Sequence, residues 1–208
     1  MIYKNRTHHL KNFHIALAVG LVITFLFSTI SFAKTCDSIR DEVLRLHILA
    51  NSDSEKDQAV KLKVRDALLI EGKNLFLDCK SKEDALQQLS YNREHLEKLA
   101  NQTLKENGMP YVAKIKIQKD FFNTKSYDDS ATLPAGEYMA VRVLLGEAKG
   151  HNWWCVMFPP MCLPAATDST QLEEILSENE MNLVEKNPKF DIRFKIIEVF
   201  EKLFRKTE

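Results

Sequence analysis

Apolar and polar residues alternate along this chain with two different periods, and these periods predict strands and helices. From Val43 to Ala50 the even-numbered residues are apolar and Arg45 and His47 lie between them, which is the two-residue period of a strand. The same period recurs over Tyr111 to Lys119 and over Tyr138 to Leu145. From Tyr111 to Lys119, lysine and glutamine alternate with apolar residues, which favours an antiparallel sheet with one wet face.

Two segments with helical spacing separate the first predicted strand from the second. Ser52 with Glu55 three residues later has the pattern of a capping box, so the first helix is predicted to begin there. Ser81 with Asp84 opens the second helix in the same way, and the pair at 107–108, Asn-Gly, predicts its end. The apolar stripes of the two helices contain Val60, Val64, Ala67 and Leu68, and Leu86, Leu89, Leu96 and Leu99.

This order of elements predicts an α+β domain of two layers. Helices pack on one face of a three- or four-stranded, mainly antiparallel sheet. A short helix is predicted from residue 168 or 169 to about residue 179, followed by a strand over 190–194 and a last helix. The roughly 175 residues that follow the first 33 are within the usual size of one domain.

The first 33 residues have the pattern of an export signal. Basic residues precede an apolar run from Ile15 to Ile30, and Ser31-Phe32-Ala33 supplies the small residues that a signal peptidase recognises. We therefore predict a signal peptide over residues 1–33 and a single extracytoplasmic domain over residues 34–208. An uncleaved membrane anchor is the alternative, because the apolar run approaches the roughly 20 residues that a spanning helix needs.

The charge of the mature chain argues against nucleic acid as a partner. Cleavage after Ala33 leaves 26 of the 29 Lys and Arg residues against all 29 Asp and Glu residues. A mildly acidic chain without a basic stripe has little with which to neutralise phosphates. Contact with a membrane is expected only through the N-terminal segment.

Both tryptophans lie in a short apolar segment, His151 to Cys162, which Gly150 opens and a Pro-Pro pair interrupts. This composition predicts a constrained loop rather than the interior of a strand or helix. Neighbouring side chains point in different directions, so we expect one of Trp153 and Trp154 to remain exposed as an anchor for a partner. The alternative is a lid in which these rings fold back over the core.

Two of the four cysteines lie in the same segment and are the favoured disulfide pair. The prolines between Cys155 and Cys162 turn the chain back, and closing this loop would stabilise the fold by roughly 2.5 kcal/mol. Cys36 and Cys79 are left for each other or as thiols. Four buried thiols remain the alternative, because not every bacterial exterior is strongly oxidising.

The sequence contains no established catalytic motif and predicts no cofactor. His47, Asn51, Asp53 and Asp57 lie where a strand ends and a helix begins, a common place for functional side chains. Structural roles explain them better: Asp53 as a cap, Asp57 at the positive helix N-terminus and His47 on a wet strand face. His151, Cys155 and Cys162 would supply three zinc ligands, and a closed site needs four. We therefore predict no metal site.

Several segments of the chain resemble the stage II sporulation protein R family of endospore-forming bacteria. The most specific of them is Gly150 to Cys162, which contains both tryptophans and two cysteines. The others are residues 44–54, 57–59, 61–67, 122–127, 133–138 and 193–198. The departures are few: His151 and Met161 fall at variable-looking positions inside the signature, and Cys36 and Cys79 lie outside the matching segments.

The resemblance implies a secreted signal between cells, not an enzyme. It implies production in the forespore, export into the space between the forespore and mother-cell membranes, and activation of a membrane-embedded aspartic protease that processes the precursor of the mother-cell sigma factor. The alternative is an exported cell-envelope enzyme that uses His47 and Asp53. The residues expected to bind the partner are Trp153, Trp154, Phe158, Met161, Arg45, His47, Asn51 and Asp53.

Overall fold

The computed structural model describes residues 2–127, 131–159 and 175–184, together with residues 194, 195, 198 and 199. Side chains are described from Asn12 onward. The chain divides into two compact units, Met1–Asp37 and Ser38–Glu208.

The first unit is a continuous helix, α1, which runs over Ile2–Glu42 and ends in the second unit. Its portion from Asn12 to Glu42 is long and apolar enough to cross a membrane, a criterion that a signal sequence also meets. Phe13, Phe25 and Phe27 are all more than 60% exposed. An apolar helix at this position is compatible with the predicted signal sequence.

The second unit contains a four-stranded mixed sheet and a two-stranded hairpin. The large sheet has the order β2-β5-β1-β6, in which β1 pairs parallel with β5 while the other two pairings are antiparallel. The hairpin joins β3 to β4. The strands are β1 Leu44–Leu49, β2 Ala113–Phe122, β3 Lys125–Tyr127, β4 Ala131–Leu133, β5 Gly136–Leu145 and β6 Asn152–Phe158.

Two long helices, α2 over Glu55–Leu75 and α3 over Lys82–Glu106, pack on one face of the large sheet. We call this the helix face and the opposite side the second face. Leu44, Leu46 and Ile48 point from β1 into the core beneath the helices, as their alternation predicts. The predicted α+β fold with a mainly antiparallel sheet of four strands is confirmed.

The helix boundaries agree with the sequence at two of the three ends that it predicts. Ser81 accepts the backbone N–H of Asp84 at the start of α3, and Asn107 caps its end. The N-cap of α2 is Ser54 rather than Ser52, and its side chain accepts the backbone N–H of Asp57. Ser52 is instead occupied in a hydrogen bond to the carboxylate of Asp57.

The C-terminal predictions fall mostly on residues that the structure does not describe. A short helix, α4, runs over Glu178–Val184, whereas residues 175–177 are not helical. The predicted helix therefore overlaps α4 only at its end, and residues 168–174 lie outside the described part. Phe194 is helical, so the strand predicted over 190–194 is wrong at its last residue.

Replacing Gly150 by Ala should destabilise the domain by about 2 kcal/mol. A Cβ atom on Gly150 would lie 2.2 Å from the backbone oxygen of Ser52, which cannot rotate away as a side chain does. Gly108→Ala is the matched control, because its φ of +66° is strained but no atom lies within 4 Å of the added Cβ. Chemical denaturation of both variants tests this. Equal stability of the two variants would contradict the close approach.

Candidate functional site

The segment with both tryptophans is a strand, not the predicted loop. Asn152–Phe158 forms β6 at the edge of the large sheet and pairs antiparallel with β1. The backbone hydrogen bonds of this pairing hold the segment extended, and Pro159 follows its last residue. The sequence contained a signal for this result, because Gly150 and the prolines bound a run rich in β-forming residues.

The two tryptophan rings lie on opposite faces of the sheet, as successive strand residues must. Trp153 lies half-buried on the helix face, where the guanidinium of Arg65 stacks 4.3 Å from its ring centre. Trp154 lies half-buried on the second face, edge-on to His47 at 5.7 Å and to Phe122 at 6.3 Å. The sequence predicts that one of the two rings stays exposed. In the structure both rings are half-buried, and each has only part of its surface open to solvent.

Arg45 is fully buried on the second face. Its Nε donates to the carbonyl of Cys155 at 3.1 Å, and its Nη2 donates to the hydroxyl of Tyr127 at 2.6 Å. Its guanidinium carbon lies 4.3 Å from the ring centre of Phe122 and 4.9 Å from that of Tyr138. Aromatic faces thus surround a charge that lacks a carboxylate partner among the described residues.

His47 is only 6% exposed, so the prediction that it lies on a wet strand face is wrong. Its Nδ1 lies 2.5 Å from Oδ2 of Asp120, and the Nε of Arg142 lies 3.9 Å from the same oxygen. Burial raises the pKa of Asp120, but the His47 hydrogen bond and the charges of His47 and Arg142 outweigh it, so this pKa is lowered overall. Asp120 is therefore held as a carboxylate.

Asn51 and Asp53 do not join His47. Oδ1 of Asp53 accepts from the backbone N–H of His151 at 2.6 Å and lies 2.5 Å from Nδ1 of the same residue. These hydrogen bonds lower the pKa of Asp53. Asn51 accepts the backbone N–H of Glu147 at 2.9 Å, so it fixes the turn after β5. The proposed His47 and Asp53 pair of an exported enzyme is not brought together.

Asp57 is the centre of a buried network at the start of α2. Its carboxylate accepts from the amide of Asn51 at 2.9 Å and from the hydroxyls of Ser52 and Tyr111, each at 2.5 Å. Burial opposes the charged form, but hydrogen bonds from Ser52, Tyr111, Asn51 and Ser54 lower its pKa to about 2. The pKa of Tyr111 is raised, chiefly by burial of its hydroxyl and then by the hydrogen bond to Asp57.

Asp57→Asn should lower the free energy of unfolding by about 2 kcal/mol at neutral pH. The folded pKa of about 2 is below the ordinary 3.8, so this stability is present above pH 4 and is lost as the pH falls through about 2. Chemical denaturation between pH 7 and pH 2 measures it. Asp66→Asn on the same helix is the control, because Asp66 is exposed and pairs with its neighbour Arg65. An equal loss in both variants would contradict the network.

The remaining predicted residues divide between the core and the undescribed segment. Phe158 is 2% exposed and packs edge-on against Phe76 at 5.7 Å, so a partner could contact it only after this ring left the core. Cys155 is buried in β6, whereas Met161 and Cys162 lie outside the described residues, and the Cys155–Cys162 bond stays a prediction. Cys79 is a free thiol whose pKa is raised by burial, so it forms no bond with Cys36.

The second face contains residues that were not singled out from the sequence. Asp120, Phe122, Tyr127 and Arg142 all contact Arg45 or His47 or their partners. The available signals were the alternation that places residues 116, 118, 120 and 122 on one side of β2, and the family-like segment 122–127, which contains Phe122 and Tyr127. Within the described residues, no group of three His, Cys, Asp or Glu side chains has the geometry to hold a metal ion.

The fold and side-chain clusters define an α+β domain whose sheet carries buried charges on the face away from its helices. The chain belongs to the stage II sporulation protein R family, because the model of that family matches residues 40–168. It is therefore a sporulation protein. The match includes β1 to β6 and both long helices, and thus every cluster described above.

Stage II sporulation protein R of Bacillus subtilis (strain 168) is 39% identical to this chain over 124 residues. The aligned part covers 60% of this chain and 55% of the relative, so the chain spans about half the length of the curated relative it matches. No solved structure matches the chain significantly.

Proposed function

We propose that this protein is an exported sporulation signal that activates a membrane-embedded aspartic protease of the mother cell. The activated protease then cleaves the precursor of the mother-cell sigma factor. The observation that carries this proposal is the family match over residues 40–168. The proposed role is that of a ligand and requires no catalytic residue, cofactor or metal in the signal itself.

Export into the space between the forespore and mother-cell membranes is part of the proposal. The apolar N-terminal part of α1 supports it, since a signal sequence near the N-terminus meets the same criterion of length and composition. Residues 34–208 would then be the extracytoplasmic signalling domain. This domain would contact the part of the protease that lies outside the mother-cell cytoplasm. The small residues Ser31 and Ala33 give the expected cleavage position.

We expect the exported protein to begin at Lys34. Signal peptidases require a small residue directly before the cut, and Ala33 supplies it. N-terminal sequencing of the exported form measures the start. In the control variant Ala33→Phe, the bulky side chain should block cleavage and leave residues 1–33 attached. Export of wild-type protein that still carries these residues would support the anchor instead.

Partner binding is proposed for the outer part of β6, where both tryptophans lie. An edge strand places these rings at the border of the sheet, and the part of each ring that is accessible can contact another protein. Half-buried aromatic rings are common anchors in interfaces, because their position is fixed before binding. Arg45 and His47 lie on the neighbouring strand β1 and would hold this surface in place through their contacts with Cys155 and Trp154.

Reconstitution in a bacterium that does not form spores tests the proposal directly. The cells produce this protein, the protease and an epitope-tagged sigma precursor, and the size of the precursor is followed on immunoblots. Cleavage should require both the signal and an intact catalytic aspartate in the protease. Absence of cleavage, with the signal shown to be exported and folded, would contradict the proposal.

The exported enzyme remains a second candidate because His47 pairs with a carboxylate, Asp120 rather than Asp53. A histidine held in this way through Nδ1 is a common acid–base arrangement. The dependence on concentration distinguishes the two candidates. An activator is needed in amounts comparable to the protease, whereas an enzyme would give full processing at far substoichiometric amounts of purified protein.

A further inference from the structure

Four side chains form a continuous row across the second face of the large sheet. The register pairs Lys116 with Arg142, Arg142 with His47, and His47 with Trp154. Side chains paired in this way point to the same side, so the row extends from β2 through β5 and β1 to β6. Lys116 is exposed, whereas the Arg142 side chain is 31% exposed and that of His47 only 8%. The row thus descends from solvent into the fold.

Three polar atoms of this row are buried and have no hydrogen-bond partner among the described residues. They are Nε of Arg142, Nε2 of His47 and Nε1 of Trp154. The Nη1 atom of Arg45, two residues before His47 on the same face, is in the same condition. The arginine and indole nitrogens can only donate. Unpartnered buried donors are rare in native folds, because each one costs about 1–3 kcal/mol in lost hydration.

The charges near the row are not balanced. In the buried part of the row and beside it, Arg142 and Arg45 carry two fixed positive charges, whereas the ammonium of Lys116 is exposed to water. Asp120 is the carboxylate that contacts His47 and Arg142 among the described residues. Asp120 also serves His47, and its 3.9 Å distance from Arg142 is too long for a hydrogen bond. Among the described residues, one buried positive charge is therefore left without an anion, beside several donors that lack acceptors.

We propose that this row is a binding site for a carboxylate group. A carboxylate brings one negative charge, which matches the missing charge of the buried part of the row, and two acceptor oxygens for the donors that lack partners. A phosphate dianion would bring more negative charge than is missing, and a neutral amide would leave the positive charge without an anion. Arg142 would meet the ligand first because its side chain reaches the open end, and Trp154 would close the inner end. The inference does not depend on what the protein activates.

Two sources can present a carboxylate: an acidic side chain of a protein, and a free small acid. Titrations of the full chain in detergent micelles with the peptide Ac-Ala-Glu-Ala-NH2 and with sodium acetate distinguish them, and Ac-Ala-Gln-Ala-NH2 is the neutral control. The chain has two tryptophans, so the variant Trp153→Phe leaves the indole N–H signal of Trp154 alone in the nuclear magnetic resonance spectrum. This signal should shift with the glutamate peptide and stay in place with the glutamine peptide.

A pair of variants tests the assignment to this row. Arg142→Gln should weaken binding of the glutamate peptide about tenfold. Lys119→Gln makes the same change in charge on β2, but position 119 points to the other side of the strand, so binding should be unchanged. If the Arg142 variant does not fold, the comparison of the glutamate peptide with the glutamine peptide on protein that retains Arg142 still tests the proposal.

Each outcome has a defined meaning. A shift with the glutamate peptide assigns the site to an acidic side chain, and a shift with acetate alone assigns it to a free small acid. Equal shifts with the glutamate and glutamine peptides, no shift with either carboxylate, or equal weakening by the variants at positions 119 and 142 would overturn the proposal.

Discussion

Arg45→Ala is expected to lower the free energy of unfolding by about 4 kcal/mol. The substitution leaves a cavity in a fully buried position and removes the donors to the carbonyl of Cys155 and the hydroxyl of Tyr127. It also removes the cation stacked on Phe122 and Tyr138. Because these contacts join β1 to β2, β3, β5 and β6, their loss should affect the whole sheet.

Chemical denaturation of three variants separates the causes of this effect. Arg45→Met removes the charge as Arg45→Ala does but fills much of the same volume, so it should destabilise less because it leaves a smaller cavity. Arg93→Ala is the surface control, since that side chain is 44% exposed and its ion pairs are 3.9 Å long; its effect should stay within about 0.5 kcal/mol. A small effect of Arg45→Ala, similar to that of Arg93→Ala, would show that the buried guanidinium contributes little.

Replacing Trp153 and Trp154 together by Ala is expected to abolish processing of the sigma precursor. This prediction depends on the proposed function. The accessible part of each ring would be lost, and each interface tryptophan contributes about 2–4 kcal/mol to binding in comparable cases. Immunoblots of the precursor in cells that produce the variant measure the effect. Normal processing would contradict the proposed binding surface.

The double variant must also be separated from unfolding, because both rings are half-buried and stack on Arg65 or His47. Leu104→Ala is a suitable control, since Leu104 is 1% exposed in α3 and its truncation should cost about 2–5 kcal/mol. We expect Leu104→Ala to retain processing at a temperature where both variants remain folded in thermal unfolding. Loss of processing in both variants would attribute the effect to stability.

The sequence predicted the helix layer more accurately than the second face of the sheet. Caps such as Ser81 with Asp84 act within one turn of helix, so their effect can be predicted from neighbouring residues. The start of α2 was misplaced by two residues because Ser52 and Ser54 are both capable caps. The network around Asp57, which includes the distant Tyr111, determines which serine is used.

The prediction for β6 was wrong for a related reason. Prolines and adjacent tryptophans are strong local signals for a rigid loop, but the pairing of this segment with β1 is a contact over about a hundred residues of chain. The antiparallel pairing with β1, which sets Cys155 opposite Leu46 and Trp153 opposite Ile48, fixes the segment in a strand and assigns the two rings to opposite faces. No neighbouring residue encodes that pairing.

Local sequence by itself determined the apolar N-terminal helix, the two amphipathic helices, the alternation of β1, β2 and β5, and the segments that resemble the family. These features depend on the period of apolar residues, which is a property of adjacent positions. Tertiary structure alone decided that Arg45 and His47 are buried, that Asp120 rather than Asp53 pairs with His47, and that Arg142 and Trp154 flank it. The physical reason is that strand order and register bring together side chains that are far apart in the chain, and a residue on a polar strand face becomes buried only when other segments cover that face.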